Sequence, residues 1–170
     1  MVLRKSRVWS LAVLLISGAV GASCNKDAQR DPCLQPRNVS LRIQAQQRGA
    51  ADTTATDTTL RGPVFIPIGG QQILKYSAGT SRPVLYLDPQ SDSCTYFMRP
   101  DSLSQAGDTL RFRYTRKLQF LSNACGYTYF FSLQSVTATN SAIDSVRINN
   151  SVIDNDANSP NHLLLYFRKR

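Results

Sequence analysis

Thr109-Leu110-Arg111-Phe112-Arg113-Tyr114-Thr115 is the stretch that decides the fold class. Leu110, Phe112 and Tyr114 alternate with Arg111, Arg113 and Thr115, and a period of two marks a strand with one face buried and one in water. Leu118–Leu121 continues the run past a bend expected near Arg116-Lys117. Upstream, Val39, Leu41 and Ile43 point one way while Ser40, Arg42 and Gln44 point the other. Further strands are expected at Val64–Ile68, Gln72–Tyr76, Val84–Leu87 and Cys94–Arg99, and then at Tyr127–Leu133, Ser145–Ile148 and His162–Phe167. Turn signals such as Asp88-Pro89, Ala106-Gly107-Asp108 and Asn158-Ser159-Pro160 separate them. No long segment has helical periodicity. Regularly spaced short strands predict an all-β fold, a single antiparallel β-sandwich of Greek-key or immunoglobulin-like kind. Gln46–Thr59, poor in large apolar residues, is expected to be a mobile loop.

The first residues have another purpose. Arg4, Lys5 and Arg7 precede the apolar run from Val8 to Val20, followed by Gly21-Ala22-Ser23 and Cys24. A charged start, a short apolar middle and small residues spell a cleaved export signal. The run is shorter than the roughly 20 residues a spanning helix needs. Leu15–Cys24 resembles a lipobox, with Gly21 standing where Leu is usual, so Cys24 is the expected site of acylation. The expected organisation is signal peptide 1–23, lipid-anchored tether 24–37 and sandwich 38–170. Three of the twenty basic residues leave with the signal, and the net charge falls from +9 to about +6. A basic chain invites a nucleic-acid reading, and the exported address argues against it. The expected location is the cell envelope, lipid-anchored at the outer membrane.

With Cys24 acylated, Cys33, Cys94 and Cys125 remain. An oxidising compartment favours one disulfide and one leftover thiol. Cys33 with Cys125 is the expected pair, since it ties the N-terminal lead to the body. Closing a loop of about 90 residues contributes roughly 4–5 kcal/mol in the chain-entropy model. Cys94, in phase with Tyr96 and Met98, reads as a small buried hydrophobe.

Cys33 with Pro36-Arg37 and the first strand, Asp108–Tyr114, Ala124-Cys125-Gly126-Tyr127 and Ile143-Asp144-Ser145-Val146 form an ordered series. In that series the chain resembles an uncharacterised family of small lipoproteins from the Bacteroidota, over about Cys33 to Phe167. The resemblance implies a lipid-anchored all-β domain, supports the Cys33–Cys125 pairing and supplies no activity. It also gives meaning to Lys26-Asp27, which matches part of a surface-export signal. Asp52-Thr53-Thr54 and Asp57-Thr58-Thr59 match the O-glycosylation triplets of such bacteria, which makes Thr53 and Thr58 candidate acceptors.

Catalytic signals are sparse. The chain has no Glu, its one Trp lies at Trp9, and its one His is His162. Nothing local marks a nucleophile in the manner of a Gly-x-Ser-x-Gly elbow. A hydrolase would need His162 beside an Asp and a Ser drawn from distant segments, and a half-exposed strand histidine is the simpler expectation. Asp154, Asp156 and Asn158 have the spacing of early calcium-loop donors, but Ser159 and Leu165 stand where an EF-hand needs Gly and Glu. No metal or cofactor is therefore expected. Arg111, Arg113 and Arg116-Lys117, with the terminal Arg168-Lys169-Arg170, are expected to make a basic face, which solubilises and protects strands or, in its functional version, attracts anionic envelope components. The expectation is a non-catalytic binding or accessory module, meeting the membrane through its lipid and an envelope protein as partner. A glycan-binding module is the alternative, which a concave row of exposed aromatics would support.

Overall fold

The structure is a computed structural model that describes residues 32–49, 54–70 and 72–168. Cys24, the leader and Thr53 lie outside the described residues. Among those described, all regular elements are strands: β1 (Leu41–Arg48), β2 (Thr56–Asp57), β3 (Val64–Pro67), β4 (Leu74–Lys75), β5 (Val84–Leu85), β6 (Ser93–Arg99), β7 (Asp108–Ser122), β8 (Gly126–Ala138), β9 (Ile143–Ile148), β10 (Val152–Ile153) and β11 (Leu163–Arg168). They form two sheets, ordered β2-β1-β11-β9 with β5 also on β1, and β10-β8-β7-β6-β3-β4. The sheets pack together as a β-sandwich.

Alternation along β7 explains the packing. Leu110, Phe112 and Tyr114 are buried while Arg111, Arg113 and Thr115 are exposed. Opposite them, Leu41 and Ile43 of β1 and Leu163 and Leu165 of β11 are fully buried in the same cluster, with Phe65 and Met98. Two apolar sheet faces satisfy each other in this way, since each buried side chain of this size contributes about 1.5–3 kcal/mol. Edge-to-face aromatic pairs, Tyr96–Phe112 and Tyr114–Phe131, add shape to the core.

Among the described strands, the antiparallel expectation holds for every strand pair except that of β1 with β11, which is parallel from Ile43↔Leu163 to Arg48↔Arg168. The cause lies in the chain between β10 and β11, which crosses the sandwich end and is held there by Arg42. The Arg42 guanidinium donates to the carbonyls of Ala157 (2.9 Å), Ser159 and Asp156. The next strand must then start beside the start of β1.

Two boundaries differ from expectation. β7 is continuous to Ser122 with no bend at Arg116-Lys117, because β8 pairs with it throughout. The ladder has two irregularities, one between Phe120 and Ser122 near the tip and a bulge that pairs Arg113 with Ser135 and Tyr114 with Leu133. The extra residue, Gln134, lets both Val136 and Leu133 oppose inward-facing partners. Within the expected mobile loop, β1 runs on to Arg48, and Thr56 and Asp57 pair back with Gln47 and Gln46. Ahead of β1, Pro36 and Arg37 lie against the sandwich, since Thr128 donates to the carbonyl of Arg37 (2.8 Å) and Asn155 to that of Pro36 (3.3 Å).

Candidate functional site

The long β7–β8 hairpin runs along the sandwich, and its two ends differ in character. At one end is its tip, Ser122 to Gly126, where Cys125 is bonded to Cys33 as expected. Gly126, with φ +72°, makes the tip turn that an L side chain would strain. Next to the tip, Arg37, Asn38, Tyr86, Tyr127 and Tyr129 line a cleft of about 260 Å³. The Phe120 and Tyr127 rings lie 5.1 Å apart on the hairpin's inner face.

At the other end, where β7 begins and β1 and β11 finish, lies a larger cleft of about 580 Å³. Gln47, Arg61, Asp101, Phe167 and Arg168 line it, with Ser141 and Ala142 forming one wall. That wall is organised by Asp108. Its fully buried carboxylate accepts from the N–H groups of Ser141 (2.7 Å), Ala142 (2.7 Å) and Ile143 (2.8 Å), and from the Thr139 hydroxyl (3.1 Å). Three successive amides round one carboxylate form a built-in anion nest whose anion is supplied by the chain. Gly107, just before it, is required by close approach: a Cβ there would sit 2.5 Å from the Met98 carbonyl oxygen. Sequence reasoning missed Asp108 as an organiser. The signal was its place at a strand start after Ala106-Gly107, but its donors are 31 to 35 residues away.

The residues singled out from the sequence do not come together. His162 is fully buried, against the half-exposed expectation, because its ring fills the space at the start of the β1–β11 pair. Its Nδ1 accepts the Arg42 backbone N–H at 2.9 Å, which fixes the proton on Nε2 in the neutral ring. Burial, and then the nearby Arg42 charge, hold its pKa below the usual imidazole value. An imidazole so enclosed offers no base to a substrate.

Asp154 accepts from the N–H of Asp156 and the hydroxyl of Ser159, and Asp156 from the N–H of Asn158. The loop's carbonyls hold Arg42, so the guanidinium takes the place a bound cation would have. Among the described residues no cluster of three His, Cys or Asp has the geometry to hold a metal. Cys94 is unpaired and half-buried, and burial raises its thiol pKa above the usual range. Beside it Tyr114 donates to the Asp88 carbonyl (3.0 Å) and accepts the Asp88 N–H (3.1 Å), and burial pushes its phenol far up. Tyr96 is pushed up to about 12, again chiefly by burial. These groups stay neutral and structural. Thr58 is half-buried at the cleft, its N–H donating to the Ala45 carbonyl at 3.0 Å.

A family of unknown function matches residues 63–167, from just before β3 to within β11. The chain belongs to DUF6452. The DUF6452 stretch contains the whole β7–β8 hairpin, Cys94, Cys125 and Asp108, and begins after β1 and Cys33. No curated protein and no solved structure is similar to the chain.

Proposed function

We propose that this DUF6452 protein is a bacterial envelope lipoprotein. Its leader is removed before Cys24, which is acylated and anchors it to the outer membrane. Its sandwich works by binding, as an accessory to an envelope protein, and has no catalysis of its own. The resemblance to small Bacteroidota lipoproteins belongs to the same reading. The observation that carries it is the Cys33–Cys125 bond, which fixes the lead to the hairpin tip nine residues after Cys24. Disulfides persist in oxidising compartments, so the bond supports export. The lipid raises the local concentration of the module near its partner.

Intact-mass measurement of membrane-extracted protein tests the reading, with a Cys24→Ala variant beside it. The expected product starts at Cys24, carries added acyl mass and is lost from the membrane in the variant. A soluble, unacylated product refutes the anchor.

A glycan-binding reading has one observation in its favour, the grouping of Tyr86, Tyr127 and Tyr129 round the smaller cleft. Tyr rings stack on sugar faces. Loss of glycan binding in Tyr86→Ala would support it.

A further inference from the structure

The inner face of the β7–β8 hairpin does not end where the core ends. Tyr114 and Leu133 are paired and buried, and Arg116 next reaches across to the Asp92 carboxylate (2.7 Å) and the Pro89 carbonyl (2.8 Å). That contact marks the edge of the Asp88–Asp92 loop, whose Pro89 still borders the smaller cleft with Tyr127 and Tyr129. Beyond it Leu118 pairs with Tyr129 and Phe120 with Tyr127 on the same face. Leu118 is 55% exposed, Phe120 46% and Tyr127 59%, and Leu34, next to the disulfide, is 89% exposed. The sequence between Asp108 and Asp144 contains no acid and four bases, Arg111, Arg113, Arg116 and Lys117. Leu118, Phe120, Tyr127 and Tyr129 share one face of the overhang, and the exposed Lys117 stands at its root on the other, with Arg111 and Arg113 farther back along β7.

We infer that this overhang is a second membrane contact, with Leu34, Leu118, Phe120 and Tyr127 seated at the headgroup boundary of an anionic bilayer. The inference rests on the anchored reading above and deepens it. Three arguments select a bilayer as the occupant. The chain from Cys24 to Cys33 is nine residues, so a lipid on Cys24 keeps the tip within about 30 Å of the membrane. Lys117 at the root of the overhang, in a stretch between Asp108 and Asp144 that has no acid, complements anionic headgroups. Four half-exposed side chains offer only a few hundred Å², short of the roughly 800 Å² per partner in a stable protein pair. Aromatic rings with a polar edge favour the interface between water and hydrocarbon. Two contacts, lipid and hairpin, orient the domain where a lone tether leaves it free to tumble.

The leader holds the only tryptophan, Trp9, so the processed chain is silent and one introduced Trp reports alone. The test uses the acylated full-length product in vesicles of phosphatidylcholine and phosphatidylglycerol, with Phe120→Trp as probe and Leu103→Trp, exposed on the loop beside the larger cleft, as control. The expected result is a blue-shifted Phe120→Trp emission that brominated lipid quenches, with Leu103→Trp unchanged. A chain begun at Asn25 and carrying Phe120→Trp, without lipid or Trp9, keeps only a weak partitioning onto these vesicles, and adding Lys117→Glu lowers that at least fivefold. Tyr127→Trp repeats the readout should Phe120→Trp fold poorly. An acylated, vesicle-bound chain whose probes emit as in water overturns the inference while the anchor stands. Probes already shielded before vesicles are added also overturn it, since residues 25–32 or a second copy then cover the face. A chain without acyl mass whose probe is still quenched removes the anchor and leaves the hairpin contact standing.

Discussion

Replacing Asp108 by Asn should destabilise the domain by about 2–4 kcal/mol, although the side chain keeps its size. The carboxylate is fully buried and accepts three backbone N–H bonds at 2.7–2.8 Å and one hydroxyl at 3.1 Å. In Asn one oxygen becomes an NH₂ that faces donors, so one pair of bonds is lost and the other becomes neutral. A bond to a charged group contributes about 1.5–3 kcal/mol against about 1 for a neutral one, and an unsatisfied buried N–H costs about 1–3. The lower half of the summed range applies, because three of the four bonds are only partly buried. Asp108→Ala should cost more, about 3–5 kcal/mol, since all four donors lose their acceptor. Urea denaturation followed by far-UV circular dichroism reads this as a lower midpoint with unchanged slope. Amide exchange at Ser141, Ala142 and Ile143 should accelerate beyond the global loss. A stability within 0.5 kcal/mol of the wild type, roughly the scatter of neutral surface changes, would falsify the claim that this carboxylate organises the cleft wall.

Acid should weaken the fold through His162. Its pKa is depressed in the folded state, so as pH falls through 6.5 the unfolded chain takes a proton that the folded chain refuses. The contribution is whole above 6.5 and declines below it by up to about 1.4 kcal/mol per pH unit. His162→Asn, which keeps an acceptor for the Arg42 N–H, should flatten urea midpoints compared at pH 7.5 and 5.5; an unchanged slope counts against the assignment. Cys33→Ser should lower stability by up to about 4–5 kcal/mol, given the 92-residue separation. In the intact protein Cys94 should react with iodoacetamide far more slowly than in urea, because its thiolate is disfavoured; equal rates by mass spectrometry refute this. Gly107→Ala should cost about 1–3 kcal/mol by crowding the Met98 carbonyl, and a neutral midpoint shows that the backbone there yields freely.

Elements whose reason is local were legible in the sequence. Leu110, Phe112 and Tyr114 announce β7 because each faces the core every second residue, and Cys33 and Cys125 announce their bond because the lead needs a tie. What escaped has its cause elsewhere in the chain. Thr56–Asp57 and Val152–Ile153 are strands only because Gln46–Gln47 and Phe131–Ser132 pair with them. The Arg116-Lys117 pair looked like a bend because two charges interrupt an apolar pattern, but the ladder to β8 carries the strand through. His162 reads as a surface histidine until Arg42, 120 residues earlier, is seen to donate to it. Asp154 and Asp156 resemble cation donors by spacing, but their carboxylates accept hydrogen bonds within the loop, whose backbone carbonyls bind Arg42. The larger cleft was invisible, since Gln47, Arg61, Asp101 and Phe167 come from four separated segments.

The parallel pairing of β1 with β11 bears on the order in which the molecule can form. β1 lies at the centre of its sheet, yet its longest partner is the last strand of the chain. The β6–β7–β8 meander can pair as soon as it is made, its strands being sequential neighbours. β1 must wait for Leu163–Arg168, and contacts of such separation are slow to close. Until β11 has been made, β1 can hold only the short β2 and β5 pairings, and its sheet lacks the strand that joins it to β9.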